Sequence, residues 1–199
     1  MSTYRGWHFT ARKTLDRNGG RLVRHERLPE GTQPVLCQVG LHASARALDA
    51  VAYAPGMWIR QVELRGLIVA DGDKACATER LTLAGPVNAS RVLREFACDC
   101  AEQTLVQERA AGREPAPRSW AVVEVARRYA RGDATAAELR AARNAATAAL
   151  ATSSAAAAAW NARAAAAIAH ASAADAARDW QRAELERRLR RLLGLEEET

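Results

Sequence analysis

The chain has 199 residues, 49% of them hydrophobic and 26% charged, with 29 Lys and Arg against 23 Asp and Glu for a formal charge of +6. That length allows one or two domains. No leading segment of signal-peptide type is present, and Arg143, Asn144, Asn161, Arg163 and His170 interrupt any membrane-length window of the alanine-rich part, so a soluble, cytoplasmic protein with no membrane association is expected.

Tyr4 to Thr10 is aromatic and β-branched and predicts a first strand that carries Arg5 and His8. Asp16-Arg-Asn-Gly-Gly20 is a turn signal, after which Leu22, Val23 and Arg24 resume an extended stretch, so a hairpin with the first strand is expected. Pro29-Glu-Gly31 and Pro34 break the chain again, and Val35-Leu-Cys37 predicts a short apolar strand. In Gly40-Leu-His-Ala-Ser44 the side chains of His42 and Ser44 are two residues apart and share a face if the segment is extended. Ala45 to Ala54 predicts a short helix with Ser44 as N-cap and Leu48, Val51 and Ala52 as its apolar side, ended by Pro55-Gly56. Met57 to Ala70 is the clearest strand, with Gly66 marking a bulge. Asp71-Gly-Asp73 turns the chain into a last strand, Cys76 to Leu83.

Gly85-Pro86 is read as the separator of two modules, since the strand and turn signals stop there and helical periodicity takes over. A helix capped by Asn88 or Ser90 is expected over about 89–111, with Val92, Phe96, Cys100, Leu105 and Val106 on one side. Another, over about 119–131, is capped by Ser119, turns Val122, Val125 and Tyr129 inward and is closed by Gly132. From Thr135 to Leu193 there is no glycine or proline, and alanine, the best helix former, makes up more than half of the residues from Ala134 to Ala177. Thr135-Ala-Ala-Glu138 is a capping box. Leu139, Leu150, Ile168 and Leu193 are separated by 11, 18 and 25 positions, each close to a whole number of turns of about 3.6 residues, so they share one stripe. A single helix over 135–193, roughly 90 Å long, is expected to project beyond a three-helix bundle. The alternative is a break or hairpin at Ala151-Thr-Ser-Ser154, where hydroxyl side chains compete for backbone groups.

The expected fold is therefore α+β: a small, mainly antiparallel sheet head with one or two short helices over 1–87, followed by an all-α region over 88–199 with a very long alanine-rich helix. Residues 1–88 hold 12 Lys and Arg against 8 Asp and Glu, and the rest 17 against 15, with no dense basic block in either, so nucleic acid is not an expected partner. Cys37, Cys76, Cys98 and Cys100 lack metal-site spacing and are expected to be buried free thiols, with no metal site. His25 is expected to be solvated in a charged loop and His170 among alanines, the carboxylates of Asp71 and Asp73 to serve turn chemistry, and the five tryptophans to anchor packing. Arg5, His8, His42 and Ser44 form the candidate site. An arginine and two histidines near a serine suit a phosphate or carboxylate through charge-assisted hydrogen bonds. The plainer alternative is that His42 bonds within a half-buried strand and Ser44 only caps a helix.

The motifs Gly40-Leu-His-Ala-Ser44, Ala47-Leu-Asp-Ala-Val-Ala-Tyr53-Ala-Pro-Gly56, Val62-Glu-Leu-Arg-Gly66 and Asp71-Gly-Asp-Lys74 resemble an uncharacterised domain family of bacteriophage and bacterial genomes. Val123-Glu-Val-Ala-Arg-Arg-Tyr129-Ala-Arg-Gly132-Asp-Ala-Thr135 and the alanine run with spaced tryptophans resemble the helical tail attached to that domain, and similar tracts occur in proteins described as immunity proteins. The resemblance implies organisation and a setting of phage–host conflict, without an activity. A fainter resemblance is to ADP-ribosyltransferase folds, carried by Tyr4-Arg5-Gly6, His42-Ala-Ser44, Tyr53 and Glu79 in that order; it implies NAD or another nucleotide as ligand. The sequence departs from that pattern in having one serine in place of a longer polar triplet and no paired acidic or glutamine residue beside Glu79.

The leading expectation is a non-enzymatic interaction protein that self-associates through Thr135–Leu193 or binds a protein partner, without a cofactor. The alternative is a nucleotide-binding or ADP-ribosyltransferase-like head, with Arg5, His8, His42, Ser44, Tyr53 and Glu79 as its ligand-binding candidates and the helical region as an oligomerisation device.

Overall fold

The alternating and β-branched segments of the first half become strands: β1 (Tyr4–Thr10), β2 (His25–Arg27), β3 (Leu41–Ala43), β4 (Trp58–Asp71) and β5 (Lys74–Asn88), with a short helix α1 (Ala47–Ala52) between β3 and β4. The structure, a computed structural model, describes residues 2–13, 23–151 and 171–195. All strand pairs are antiparallel, in the order β1-β4-β5-β2, with β3 also paired to β5. An α+β architecture with a mainly antiparallel sheet is thus what the chain adopts.

β4 and β5 are the spine because they are long and apolar where they meet: Ile59, Val62, Leu64, Ala75, Cys76 and Ala77 are fully buried. β1 lies along β4, from Tyr4 opposite Leu64 to Thr10 opposite Trp58. The hairpin expected through Asp16–Gly20 falls on residues 14–22, outside the described residues; just beyond them His25–Arg27 forms the three-residue β2, which pairs β5. Gly66 marks the expected bulge: the β4–β5 register slips between Arg65 and Ile68, Gly66 has φ of 76°, and a Cβ there would lie 2.2 Å from Thr78 Oγ1.

β1 also meets the end of β3. The Trp7 N–H donates to Ser44 O at 2.7 Å and the Ser44 N–H returns to Trp7 O at 3.0 Å, which closes β1, β4, β5 and β3 into a ring. Small side chains let such a narrow ring fill without strain, and its cluster is Ala43, Ala75 and Ala77 with Val62 and Leu64. Gly6 permits the closure, since a Cβ at that position would stand 2.5 Å from Ser44 O. Gly6→Ala is accordingly expected to cost roughly 1–3 kcal/mol of stability, read as a lowered melting temperature with loss of near-ultraviolet ellipticity from Trp7.

Several expectations change here. Ser44 does not cap α1, because its backbone is committed to Trp7; the helix starts at Ala47 after Arg46, which makes no side-chain cap. The face that α1 buries is Ala47 and Ala50, whose size allows close approach, while Val51 is exposed. Val35–Cys37 is a tight turn rather than a strand: Val35 and Val39 exchange backbone hydrogen bonds, and Cys37 takes a left-handed φ of 64°. Gly85-Pro86 lies inside β5, where the register against β4 is irregular and tolerates a residue without an N–H.

Beside the ring lies a buried ion group. Arg80 grips Glu26 through Nε at 2.9 Å and Nη2 at 2.8 Å, Arg60 Nη1 stands 2.9 Å from Glu26 Oε2, and Arg60 also donates to Thr82 Oγ1 at 2.9 Å. Arg60, Arg80 and Glu26 are 0%, 4% and 8% exposed. Burial raises the Glu26 carboxyl, yet the two guanidiniums outweigh it and hold the group below its ordinary value.

The chain forms two compact units, Met1–Ser90 with Arg182–Thr199, and Arg91–Gln181. The expected head ran over 1–87 alone and the end of the tail was expected to project. Instead the last turns of α5 (Ala171–Leu192) belong to the first unit, with Leu185 and Leu189 both 0% exposed. One turn apart, they make an apolar stripe that has to be covered.

The second unit holds most of α2 (Ser90–Ala110), together with α3 (Pro117–Arg131) and α4 (Ala136–Ala151). α3 starts earlier than Ser119, at Pro117, whose fixed φ suits a first turn, and ends on Gly132 with φ of 92° as expected. The capping box is present: Glu138 N–H donates to Thr135 Oγ1 at 3.2 Å and Thr135 N–H to Glu138 Oε2 at 2.7 Å. α3 packs on α4, Arg127 of α3 pairs with Asp99 and Glu102 of α2, and Phe96 of α2 stacks on Trp180 with centroids 6.5 Å apart. The burial in α2 centres on Phe96 and Cys98, while Val106, expected inside, is 52% exposed. The middle of the alanine run, and with it the choice between one continuous helix and a break at Ala151–Ser154, lies outside the described residues, as do Trp160, Ile168 and His170. No described helix is long and apolar enough to cross a membrane.

Candidate functional site

Ring closure places the ends of β1 and β3 side by side, and α1 follows directly from β3. Between them opens a cleft of about 140 Å³, lined by Trp7, His8 and Phe9 of β1, by His42, Ala43 and Ser44, by Ala50, Tyr53 and Pro55 around α1, and by Cys37 and Lys74. Of the six candidate residues it gathers four, His8, His42, Ser44 and Tyr53. Arg5 and Glu79 are elsewhere. Arg5 donates to Glu63 at 3.1 Å, a carboxylate that also takes Arg65, while Glu79 pairs with His25 at 2.9 Å and stands 3.6 Å from Arg27. His25 is therefore a half-buried residue of β2 hydrogen-bonded to Glu79 and not a solvated loop residue.

The polar groups of the cleft are held in an ordered chain. Tyr53 OH donates to Asp73 Oδ2 at 2.9 Å and accepts from Lys74 Nζ at 3.4 Å, and the same ammonium lies 4.8 Å from the Tyr53 ring centroid. Hydrogen bonds to Cys37 and to Tyr53 raise the Lys74 ammonium above its ordinary value, so it stays charged at neutral pH. The Cys37 N–H donates to His42 Nε2 at 3.2 Å, which leaves Nδ1 as the protonated nitrogen of the neutral ring. Arg80 Nη1 donates to His42 O at 2.8 Å, tying this strand to the buried ion group. The expectation that His42 bonds within its strand is replaced by a bond to the Val35–Val39 turn, an arrangement that the sequence distance of five residues conceals.

The chain matches no family model, no curated protein and no solved structure.

The cleft's own groups define what it can hold. Trp7, Phe9, Tyr53 and Pro55 offer flat apolar walls, Lys74 a cation, and the imidazoles and hydroxyls directional hydrogen bonds. No Asp or Glu is among the described lining residues. A volume of about 140 Å³ is close to that of a cavity known to take a single benzene ring, about 150 Å³. One ring fits within it, and the open mouth leaves the rest of a larger ligand outside. No group of three or more His, Cys, Asp or Glu suited to a metal ion occurs among the described residues.

Two of these groups escaped the sequence reading. Cys37 is exposed instead of buried, because its turn faces solvent, and Cys100 is half-buried; Cys76 and Cys98 are buried as expected, with burial raising both thiols above their ordinary value. Lys74 stood next to a turn with nothing to mark it as a cleft residue. Iodoacetamide is expected to alkylate Cys37 first, with Cys76 and Cys98 protected until the protein unfolds, as peptide mass spectrometry would show. Equal labelling of Cys76 would contradict its buried place in β5 opposite His42.

Proposed function

We propose that the first unit is a small-molecule-binding head whose cleft takes an anionic, ring-bearing ligand, such as one end of a nucleotide, and binds it without transforming it. The convergence of His8, His42, Ser44 and Tyr53 with Lys74 in one ring-sized cleft carries this reading. The nucleotide class comes from the fainter resemblance stated above. Transfer chemistry is disfavoured by the positions of Arg5 and Glu79, each engaged in ion pairs away from the cleft.

Calorimetric titration with nicotinate, AMP, ADP-ribose and NAD tests it. At least one is expected to bind, Lys74→Ala and His42→Ala to weaken that binding about tenfold or more by removing a charge-assisted or positioning hydrogen bond, and Arg5→Ala and Glu79→Ala to leave it unchanged. A wild-type protein that binds none of the four sinks the proposal. Turnover of NAD that vanishes in Glu79→Ala would favour the transferase instead.

Self-association through the alanine-rich region is a second proposal, supported by the helical segments α4 and α5 that flank it. Leu139, Leu185 and Leu189 are already buried in the single chain, so the contact would fall on other residues of the run. A strict monomer by light scattering at high concentration would remove this reading.

A further inference from the structure

The two walls of the cleft are joined by one residue from the far end of the chain. Glu186 of α5 accepts the Trp7 indole N–H on Oε1 at 3.0 Å and the Ala47 N–H on Oε2 at 3.4 Å. Trp7 belongs to the β1 wall. Ala47 is the first residue of α1, whose Ala50 and following Tyr53 form the wall opposite.

Both bonds satisfy groups that have little other recourse. Trp7 and Ala47 are 2% and 1% exposed, and an unmatched donor at such a depth costs free energy. The first amides of a helix lack partners within it, and Arg46 makes no side-chain cap to supply one. Glu186 caps α1 from 139 positions along the chain. Leu185 and Leu189 on either side are fully buried, which fixes the backbone that carries the carboxylate. Burial raises the Glu186 carboxyl above its ordinary value, against the lowering effect of the Ala47 and Trp7 hydrogen bonds and of Arg190, the charged group facing it one turn on.

We propose that Glu186 is a positioning residue for the cleft: by accepting from Trp7 and Ala47 together it sets the spacing of β1 and α1, and so the width open to a ligand. The inference rests on reading the cleft as a ligand site. Loss of this bridge leaves the cleft's lining residues in place but lets its walls part.

The test uses the full chain with Glu186→Gln, which keeps the shape of the side chain but offers only one acceptor oxygen. Glu184→Gln serves as the control, since the Glu184 carboxylate pairs with Arg187 and Arg188 of its own helix. Hydrogen exchange at the Ala47 amide and the Trp7 indole N–H reads the bridge, and calorimetry with nicotinate and AMP reads the cleft. Glu186→Gln is expected to keep a cooperative melting transition while exchange at one or both groups rises about tenfold and affinity falls about tenfold; the control should match the wild type. Unchanged exchange overturns the inference, as does faster exchange with unchanged affinity. If Glu186→Gln does not fold, Glu186→Asp, too short to span both donors, takes its place, and a fold lost in both variants also overturns it, because that is what a purely structural residue would do. Should the wild type bind neither probe, the ligand reading fails, and exchange alone decides whether Glu186 holds the walls.

Discussion

The double variant Leu185→Ala/Leu189→Ala is expected to leave the first unit largely unfolded under conditions where the parent is native. Both side chains are 0% exposed, and each truncation of a buried leucine removes transfer free energy and leaves a cavity, about 2–5 kcal/mol apiece. Neighbours one turn apart share that cavity, so the two costs do not simply add. Even about 4 kcal/mol is most of the stability of a marginal domain, whose total is roughly 5–15 kcal/mol. Urea melts followed by Trp7 fluorescence would report it, since Trp7 is tied to the same helix through Glu186. Val106→Ala, at a side chain 52% exposed, should shift the midpoint little. A double variant that loses under about 1 kcal/mol would show that the end of α5 is not part of this core.

Glu26→Gln is the second large effect, at about 3–5 kcal/mol, because it strips the shared carboxylate from two arginines that are almost wholly buried. It also changes the dependence on pH. Glu26 has a folded value below its unfolded one, so its contribution is complete above the unfolded value and is lost as pH falls through the folded value. Glu186 has the opposite sign: its folded value is raised, so the unit binds that proton more tightly when folded, and this group adds stability as pH falls. Urea melts from about pH 7 down to about pH 3 should show stability falling on the acid side in the parent, and a flatter acid limb in Glu26→Gln, where Glu63 and Glu184, also held below their ordinary value by arginines, keep part of the loss and Glu186 opposes it. An acid limb equally steep in both proteins would mean that the Arg60–Glu26–Arg80 group does not govern acid unfolding.

Much of the local structure is legible in the amino-acid sequence. β1 has the expected ends because aromatic and β-branched residues crowd Tyr4–Thr10, and the bulge at Gly66, the cap at Gly132 and the Thr135–Glu138 box follow from chemistry within a few residues. The misread elements were those whose local signal was outweighed by a distant partner. Ser44 looks like a helix cap until Trp7 claims its backbone, and Val35–Cys37 looks like a strand until His42 holds its turn. The site was half legible. His42 and Ser44 are near neighbours in the chain and drew attention as a motif, whereas Lys74, Cys37 and Glu186 carry no mark of their own and reach the cleft only through strand pairing and a helix from the opposite end of the sequence.

The amino-acid sequence by itself determined β1, β4, most of β5, the helices α1 to α3, the start of α4 and that the fold is α+β, since those features depend on backbone propensity and on side chains within one or two turns of each other. Only the tertiary structure decided that β1 closes on β3, that two arginines share Glu26, and that Leu185 and Leu189 of the tail are buried in the first unit instead of projecting. Those outcomes are settled by which buried donors and apolar surfaces find a match far along the chain, as across the 37 positions between Trp7 and Ser44, the 54 between Glu26 and Arg80 and the 179 between Trp7 and Glu186. Contacts of that separation leave no periodic trace in either segment taken alone.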